Sequence, residues 1–167
     1  MARTRNYIAF DGDSDLMSYR TIQSWVTDNE SGFSLNNAHD INTARDDSLP
    51  DSIINQLRER LDRSKNLLLL IGEKTKGNRK GILKYEINYA LRNKLPIILV
   101  FIGFSSSDSN TENLWKEKLF PKIPTYLTEA TDKYCLVCPF TKDVLAKAVI
   151  SYSNNSLPNA GYTWFWA

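Results

Sequence analysis

The sequence predicts an α/β domain, a parallel β-sheet covered by helices on both faces. Two observations carry this. The strand-length runs, above all Leu67-Leu68-Leu69-Leu70-Ile71, are apolar throughout rather than alternating, as strands buried on both sides must be. Each such run is followed by a segment with helical spacing, the order that builds a parallel sheet. No internal repeat or interior linker interrupts the pattern, and 167 residues suit one domain with a sizeable core.

Tyr7-Ile8-Ala9-Phe10 reads as the first strand, ending in the acidic turn Asp11-Gly12-Asp13-Ser14-Asp15. From Leu16 to Asp28 the residues Leu16, Tyr19, Ile22, Gln23 and Val26 fall near one face, which predicts a helix. Phe33 to Ala38 is a weak second strand, and Ile41 to Pro50 a polar loop. A second helix begins at Pro50 or Asp51 and turns Ile53, Ile54, Leu57 and Leu61 inward. Leu67 to Ile71 is the third strand and Lys80 to Asn93 the third helix. Pro96 to Ile102 is the fourth strand, with its proline at the entrance, where a missing donor is tolerated. Ser105 to Asn113 reads as a flexible polar loop and Leu114 to Phe120 as a short helix. Tyr134 to Val137 is the fifth strand and Thr141 to Tyr152 the last helix. The domain is thus expected over residues 1–154. The aromatic tail 155–167, with Gly161-Tyr162-Thr163-Trp164-Phe165-Trp166, is expected to pack back on it or to lie at an interface.

Bulk properties exclude several classes. A net charge of +2 implies neither nucleic acid nor a membrane surface. No apolar run approaches the roughly 20 residues of a membrane helix, and Tyr7 to Phe10 is too short for a signal-peptide core, so a cytoplasmic location is expected. Cys135 and Cys138 lie in a buried-strand pattern, where a three-residue spacing sends side chains to opposite faces. They are expected to be structural thiols, and the single histidine, His39, is too remote in sequence to complete a zinc site.

Gly72-Glu73-Lys74-Thr75-Lys76-Gly77 has the two glycines of a phosphate loop, but Asn78 and Arg79 stand where Lys and Ser or Thr are needed. Asp11, Asp13 and Asp15 resemble the opening of a calcium loop, yet Leu16 and Ile22 occupy its required Gly and Glu positions. Nor does the third strand end in the Asp of a receiver domain. The acidic turn is better explained as a helix N-terminus, with Asp11 also able to line a pocket. His39 lacks the elbow of a hydrolytic serine and reads as a loop residue.

Glu86 is different. At about 100° per residue, Leu83, Ile87, Ala90 and Leu91 form the apolar stripe of its helix, and Glu86 falls roughly 40° outside Ala90. Ile82, Tyr89 and Asn93 flank it on the other side. Such a carboxylate is either a partly desolvated pocket wall or a surface partner of Lys84, Arg79 or Arg92.

The order of elements, with Leu70-Ile71-Gly72-x-x-Thr75 and then Lys84-Tyr85-Glu86-Ile87, resembles bacterial TIR-like domains, in particular the TIR-like subunit of the Thoeris anti-phage defence system (ThsB). The resemblance spans about residues 4 to 150, and its specific part is the segment from the third strand to the third helix. In that family the strand ends Ile-Gly-x-x-Thr and the helix carries Trp-Val-Arg-Tyr-Glu-Ile; here Ile82 stands in place of the Trp. The resemblance implies a flavodoxin-like, TIR-type three-layer sandwich with a five-stranded parallel sheet. It makes Glu86 the catalytic residue and puts Phe10, Asp11, Asp40 and Asn42 at the rim of a substrate pocket that Ile82 and Tyr89 help to wall.

It further implies an NAD glycohydrolase or ADP-ribosyl cyclase, with NAD as substrate and no cofactor or metal. The nicotinamide leaving group is already cationic in the substrate, so no general acid is required. A fixed carboxylate then stabilises the oxocarbenium-like ribose. The product expected from the family is a cyclic ADP-ribose-type signal for a separate effector, with a phage-derived trigger and self-association as further partners. Two other readings stand beside it, a non-enzymatic TIR adaptor and a nucleoside deoxyribosyltransferase relative.

Overall fold

Leu67, Leu68, Leu69, Leu70 and Ile71 are all fully buried, because their strand is the middle of a sheet packed on both sides. The computed structural model describes residues 5–26, 35–36, 51–78, 81–108, 111–153 and 156–166. Its strands are β1 (Arg5–Ala9), β2 (Leu35–Asn36), β3 (Ser64–Ile71), β4 (Ile97–Phe101), β5 (Tyr134–Pro139) and β6 (Gly161–Trp164). They form one all-parallel sheet in the order β2-β1-β3-β4-β5-β6. Its helices are α1 (Leu16–Val26), α2 (Asp51–Asp62), α3 (Gly81–Arg92), α4 (Thr111–Asn113), α5 (Thr125–Thr128) and α6 (Lys142–Ser151).

Side-chain alternation divides the core in two. Tyr7, Ala9, Leu67, Leu69, Ile71, Ile97, Leu99 and Phe101 point to the face covered by α2, α3 and residues 111–128. Ile8, Leu68, Leu70, Ile98 and Val100 point to the face covered by α1 and α6. The three-layer, flavodoxin-like architecture expected from the sequence is therefore present. Cys135 joins the first core and Cys138 the second, on opposite faces as their spacing requires. None of the helices described is long and apolar enough to cross a membrane.

The sheet departs from the expectation in having a sixth strand. The aromatic tail pairs with β5 in parallel, from Tyr134↔Gly161 to Val137↔Trp164. β5 would otherwise present an open hydrogen-bonding edge, and the tail backbone covers it. Gly161 enters the strand with φ at 88°, a conformation that favours glycine. Trp166 is buried, and Trp164 stacks on it with ring centroids 4.5 Å apart. The segment expected as a short helix from Leu114 to Phe120 instead forms a π-helical turn, Leu114–Leu119, after α4.

Strand order reverses at β1. The chain leaves β1 for β2 on one side and returns to β3 on the other. The crevice between the carboxyl ends of β1 and β3 is therefore the topological switch point, where open α/β sheets place their ligands.

Candidate functional site

At that crevice the turn after β1 meets the loop after β3. One carboxylate oxygen of Asp11 accepts from the backbone N–H groups of Asp13 (3.0 Å) and Ser14 (3.2 Å), closing the entrance to α1. Its other oxygen accepts from the Asn78 side-chain amide at 3.0 Å. Asp15 caps α1 through its carbonyl, which accepts from the Tyr19 N–H at 3.1 Å, while its side chain turns to the β3 loop. There the Thr75 hydroxyl lies 3.4 Å from Asp15 Oδ2 and 3.3 Å from the Leu70 carbonyl, and accepts from the Gly72 N–H at 2.9 Å. A Cβ on residue 72 would stand 2.5 Å from Asp15 Oδ1, so any larger residue would have to displace the Asp15 carboxylate. The Gly72-x-x-Thr75 pattern thus has a structural cause. Burial, then the charge of Asp11, pushes the Asp15 carboxyl up to about 6.

Glu86 lies deeper. It is the sixth residue of α3, roughly 7–8 Å along the helix from Gly81, and it faces Tyr7 in the middle of β1 rather than the crevice rim. It is wholly enclosed, with no solvent exposure. The expectation of a partly desolvated wall is corrected here, and so is that of a surface ion pair. Lys84 and Arg92 project into solvent, Arg79 lies outside the described residues, and neither carboxylate oxygen has a hydrogen-bond partner among the described residues. The helical wheel placed Glu86 at the edge of the stripe because it counts only the sheet-facing surface. α3 is also covered from the side by α2, through Leu57, Ile82 and the Tyr89 hydroxyl donating to Asp62.

Burial pushes the Glu86 carboxyl from 4.5 up to about 8, and the Tyr7 hydroxyl opposes that rise. The phenol of Tyr7 is itself raised, first by burial and then by Glu86. Tyr126, on α5, is pushed up to about 12 by burial and then by Glu86. The hydroxyl oxygens of Tyr7 and Tyr126 are buried and, like the carboxylate, have no hydrogen-bond partner among the described residues. Glu86 and the two phenols are thus buried polar groups of the α3-side half of the molecule. Burial favours the neutral form of such a carboxyl group, and when ionised it is suited to face a positive charge.

The other site residues expected from the sequence divide. Ile82 and Tyr89 lie on the Glu86 helix, Ile82 packed with Leu57 and Tyr89 bonded to Asp62, so both tie α3 to α2. Phe10 lies in the opposite core, stacked on Tyr19 at 4.6 Å, across the sheet from Glu86. Asp11 stands at the crevice. Asp40 and Asn42 lie outside the described residues, as does His39. Sequence reasoning missed Tyr7 and Tyr126. Tyr7 could have been found as the one hydroxyl in the run Tyr7-Ile8-Ala9-Phe10, whereas nothing local singles out Tyr126.

A separate groove of about 420 Å³, lined by Glu112, Trp115, Val137, Tyr162 and Trp164, runs along the β5–β6 edge. It shares no lining residue with the Glu86 site. Against known families, the model of the Thoeris protein ThsB TIR-like domain matches residues 7–107, a span that takes in the crevice and Glu86. With its parallel sheet, its switch-point crevice and its buried acid on α3, the chain belongs to the Thoeris ThsB TIR-like family.

Proposed function

We propose that this TIR-type protein is an NAD-processing enzyme, an NAD glycohydrolase or ADP-ribosyl cyclase, with Glu86 as its catalytic carboxylate. One observation carries the reading. A fully buried carboxyl group without a cationic partner among the described residues destabilises the fold in its ionised form, and a side chain kept only for packing would be apolar.

The chemistry suits a single acid. The bond between ribose C1′ and the nicotinamide nitrogen breaks, its electron pair stays with the nitrogen, and neutral nicotinamide leaves. Positive charge passes to the ribose, where the Glu86 carboxylate stabilises it. Water, or a nitrogen of the adenine, then attacks C1′ and a proton is released. Attack by the adenine gives a cyclic ADP-ribose-type product, a diffusible signal for a separate effector. The cationic nicotinamide ring favours ionisation of Glu86 as it enters. Because Glu86 is sealed from solvent, turnover requires an opened form, which a phage-derived trigger or self-association would supply.

The test is nucleotide mass spectrometry of phage-infected cells carrying the wild-type chain or Glu86→Gln. Loss of NAD and appearance of an ADP-ribose product are expected only with the wild type. Full product formation by the Gln variant would remove Glu86 from the chemistry.

A further inference from the structure

Tyr162 and Trp164 belong to two features at once, an open strand edge and an acidic, aromatic groove. β6 ends the sheet, so it has a strand neighbour on one side only among the described residues. Gly161 and Phe165 donate their N–H groups to the carbonyls of Lys133 and Val137, at 2.8 and 3.0 Å, on the β5 side. Backbone groups of successive residues point to opposite sides of a strand. Tyr162 and Trp164 therefore turn their N–H and C=O groups to the open side. The usual guards of such an edge, a lysine, a proline or a bulge, are absent from Gly161-Tyr162-Thr163-Trp164.

The groove of about 420 Å³ runs beside that edge. Tyr162 and Trp164 line it from β6, Val137 from β5, Glu112 from α4 and Trp115 from the π-helical turn. The Trp115 and Tyr162 rings stand 5.0 Å apart. Trp164 is 36% exposed, yet its ring is held by the stack on buried Trp166. Glu112 is exposed and has no ion pair among the described residues. Three electron-rich rings and one carboxylate together attract a cation. One of these rings already does so within the chain, with the Lys133 ammonium 5.2 Å from the Tyr162 centroid. Lys133 is committed elsewhere, donating to the Thr128 and Ala130 carbonyls at 2.8 Å each, and it does not line the groove.

We propose that the β6 edge is a docking site for an extended basic segment of a partner protein. The segment pairs with the free backbone groups of Tyr162 and Trp164. Side chains of an added strand alternate between faces, so every second one meets the groove. A lysine or arginine there passes between Trp115, Tyr162 and Trp164 and ends at Glu112. The edge is only four residues long, so backbone pairing alone is weak and the side chain in the groove sets the specificity. A second copy of the chain fits less well, because its β6 holds no basic residue to meet Glu112. The carboxylate also repels phosphate, which argues against a nucleic acid. The site stands apart from Glu86 and is tested without NAD turnover.

The experiment follows amide and indole NMR signals of the full chain with two capped peptide probes, Thr-Val-Lys-Val-Thr and Thr-Val-Glu-Val-Thr. The lysine probe should shift the Tyr162 and Trp164 amides and the Trp115 and Trp164 indoles. It should bind roughly tenfold or more tightly than the glutamate probe. N-methylation of its inner amides should abolish most of that binding. Glu112→Gln should weaken the lysine probe about threefold, and Glu112→Lys should reverse the preference between the probes. Glu112 is exposed, so both variants should keep the wild-type spectrum away from the groove. Equal binding of the two probes, full affinity after N-methylation, or a preference unmoved in Glu112→Lys overturns the inference. So does the absence of shifts at these signals with the lysine probe in large excess. Tyr162 and Trp164 amides that move with protein concentration alone would put a second copy at the edge and overturn it too.

Discussion

Glu86→Gln keeps the outline of the side chain and removes its charge, so its effect on stability depends on pH in a defined way. The carboxyl group takes its proton near 4.5 when exposed and at about 8 when folded. Between those values the folded chain binds a proton that the unfolded chain has released, so wild-type stability falls as pH rises through this window. Below pH 4.5 both states are protonated and nothing is lost. Above about 8 both are ionised and the loss is complete. The separation of about 3.5 pH units, at about 1.36 kcal/mol each, sets a ceiling of about 5 kcal/mol at pH 9 and about 3 kcal/mol at pH 7. Glutamine is uncharged at every pH and escapes this loss. Urea denaturation followed by tryptophan fluorescence at pH 5, 7 and 9 is the assay. The Gln variant should match wild type within about 1 kcal/mol at pH 5 and exceed it by about 2–5 kcal/mol at pH 9. A difference that does not change with pH, or a Gln variant less stable at pH 9, refutes the buried, unpartnered carboxyl group. A variant that is both more stable and inactive has the signature of a residue kept for function at the expense of the fold.

Two further predictions come from the packing. Gly72→Ala drives a methyl group into the Asp15 carboxylate, 2.5 Å from Oδ1, and should lower stability by about 1–3 kcal/mol in urea denaturation. Adding Asp15→Ala should recover part of that loss, and simple additivity would show that the two residues do not touch. Cys135 is pushed up to about 12 by burial, and Cys138 is raised by the same cause. Neither should react with a thiol reagent at pH 8 in the native protein, whereas both should in urea, and one fast-reacting equivalent would contradict their placement.

The sheet was legible where both faces are buried, because an apolar run such as Leu67 to Ile71 has few other destinations. β6 was not. Its four residues have no alternation signal of their own and become a strand only because β5 leaves an edge for them. Glu86 was legible in identity but not in depth. A helical wheel records one contact surface, and the cover from Leu57 and Asp62 comes from α2, distant in sequence. The family pattern Gly72-x-x-Thr75 was read as a marker of the site, and its residues turn out to join the β3 loop to Asp15. Tyr126 stands 40 positions after Glu86 in a short helix with no pattern to mark it.

The sixth strand has a consequence for how the molecule is made. β5 receives its outer neighbour from residues 161–164, which are synthesised after every other strand of the sheet. Until they emerge, β5 carries an open edge beside an uncovered Val137 and Trp115, the kind of surface on which nascent chains stick to one another. Synthesis that stalls before β6, or a protease that removes it, would therefore leave a chain with Glu86 in place and an adhesive flank. Yield of well-dispersed protein is set at β6, away from the switch-point crevice between β1 and β3.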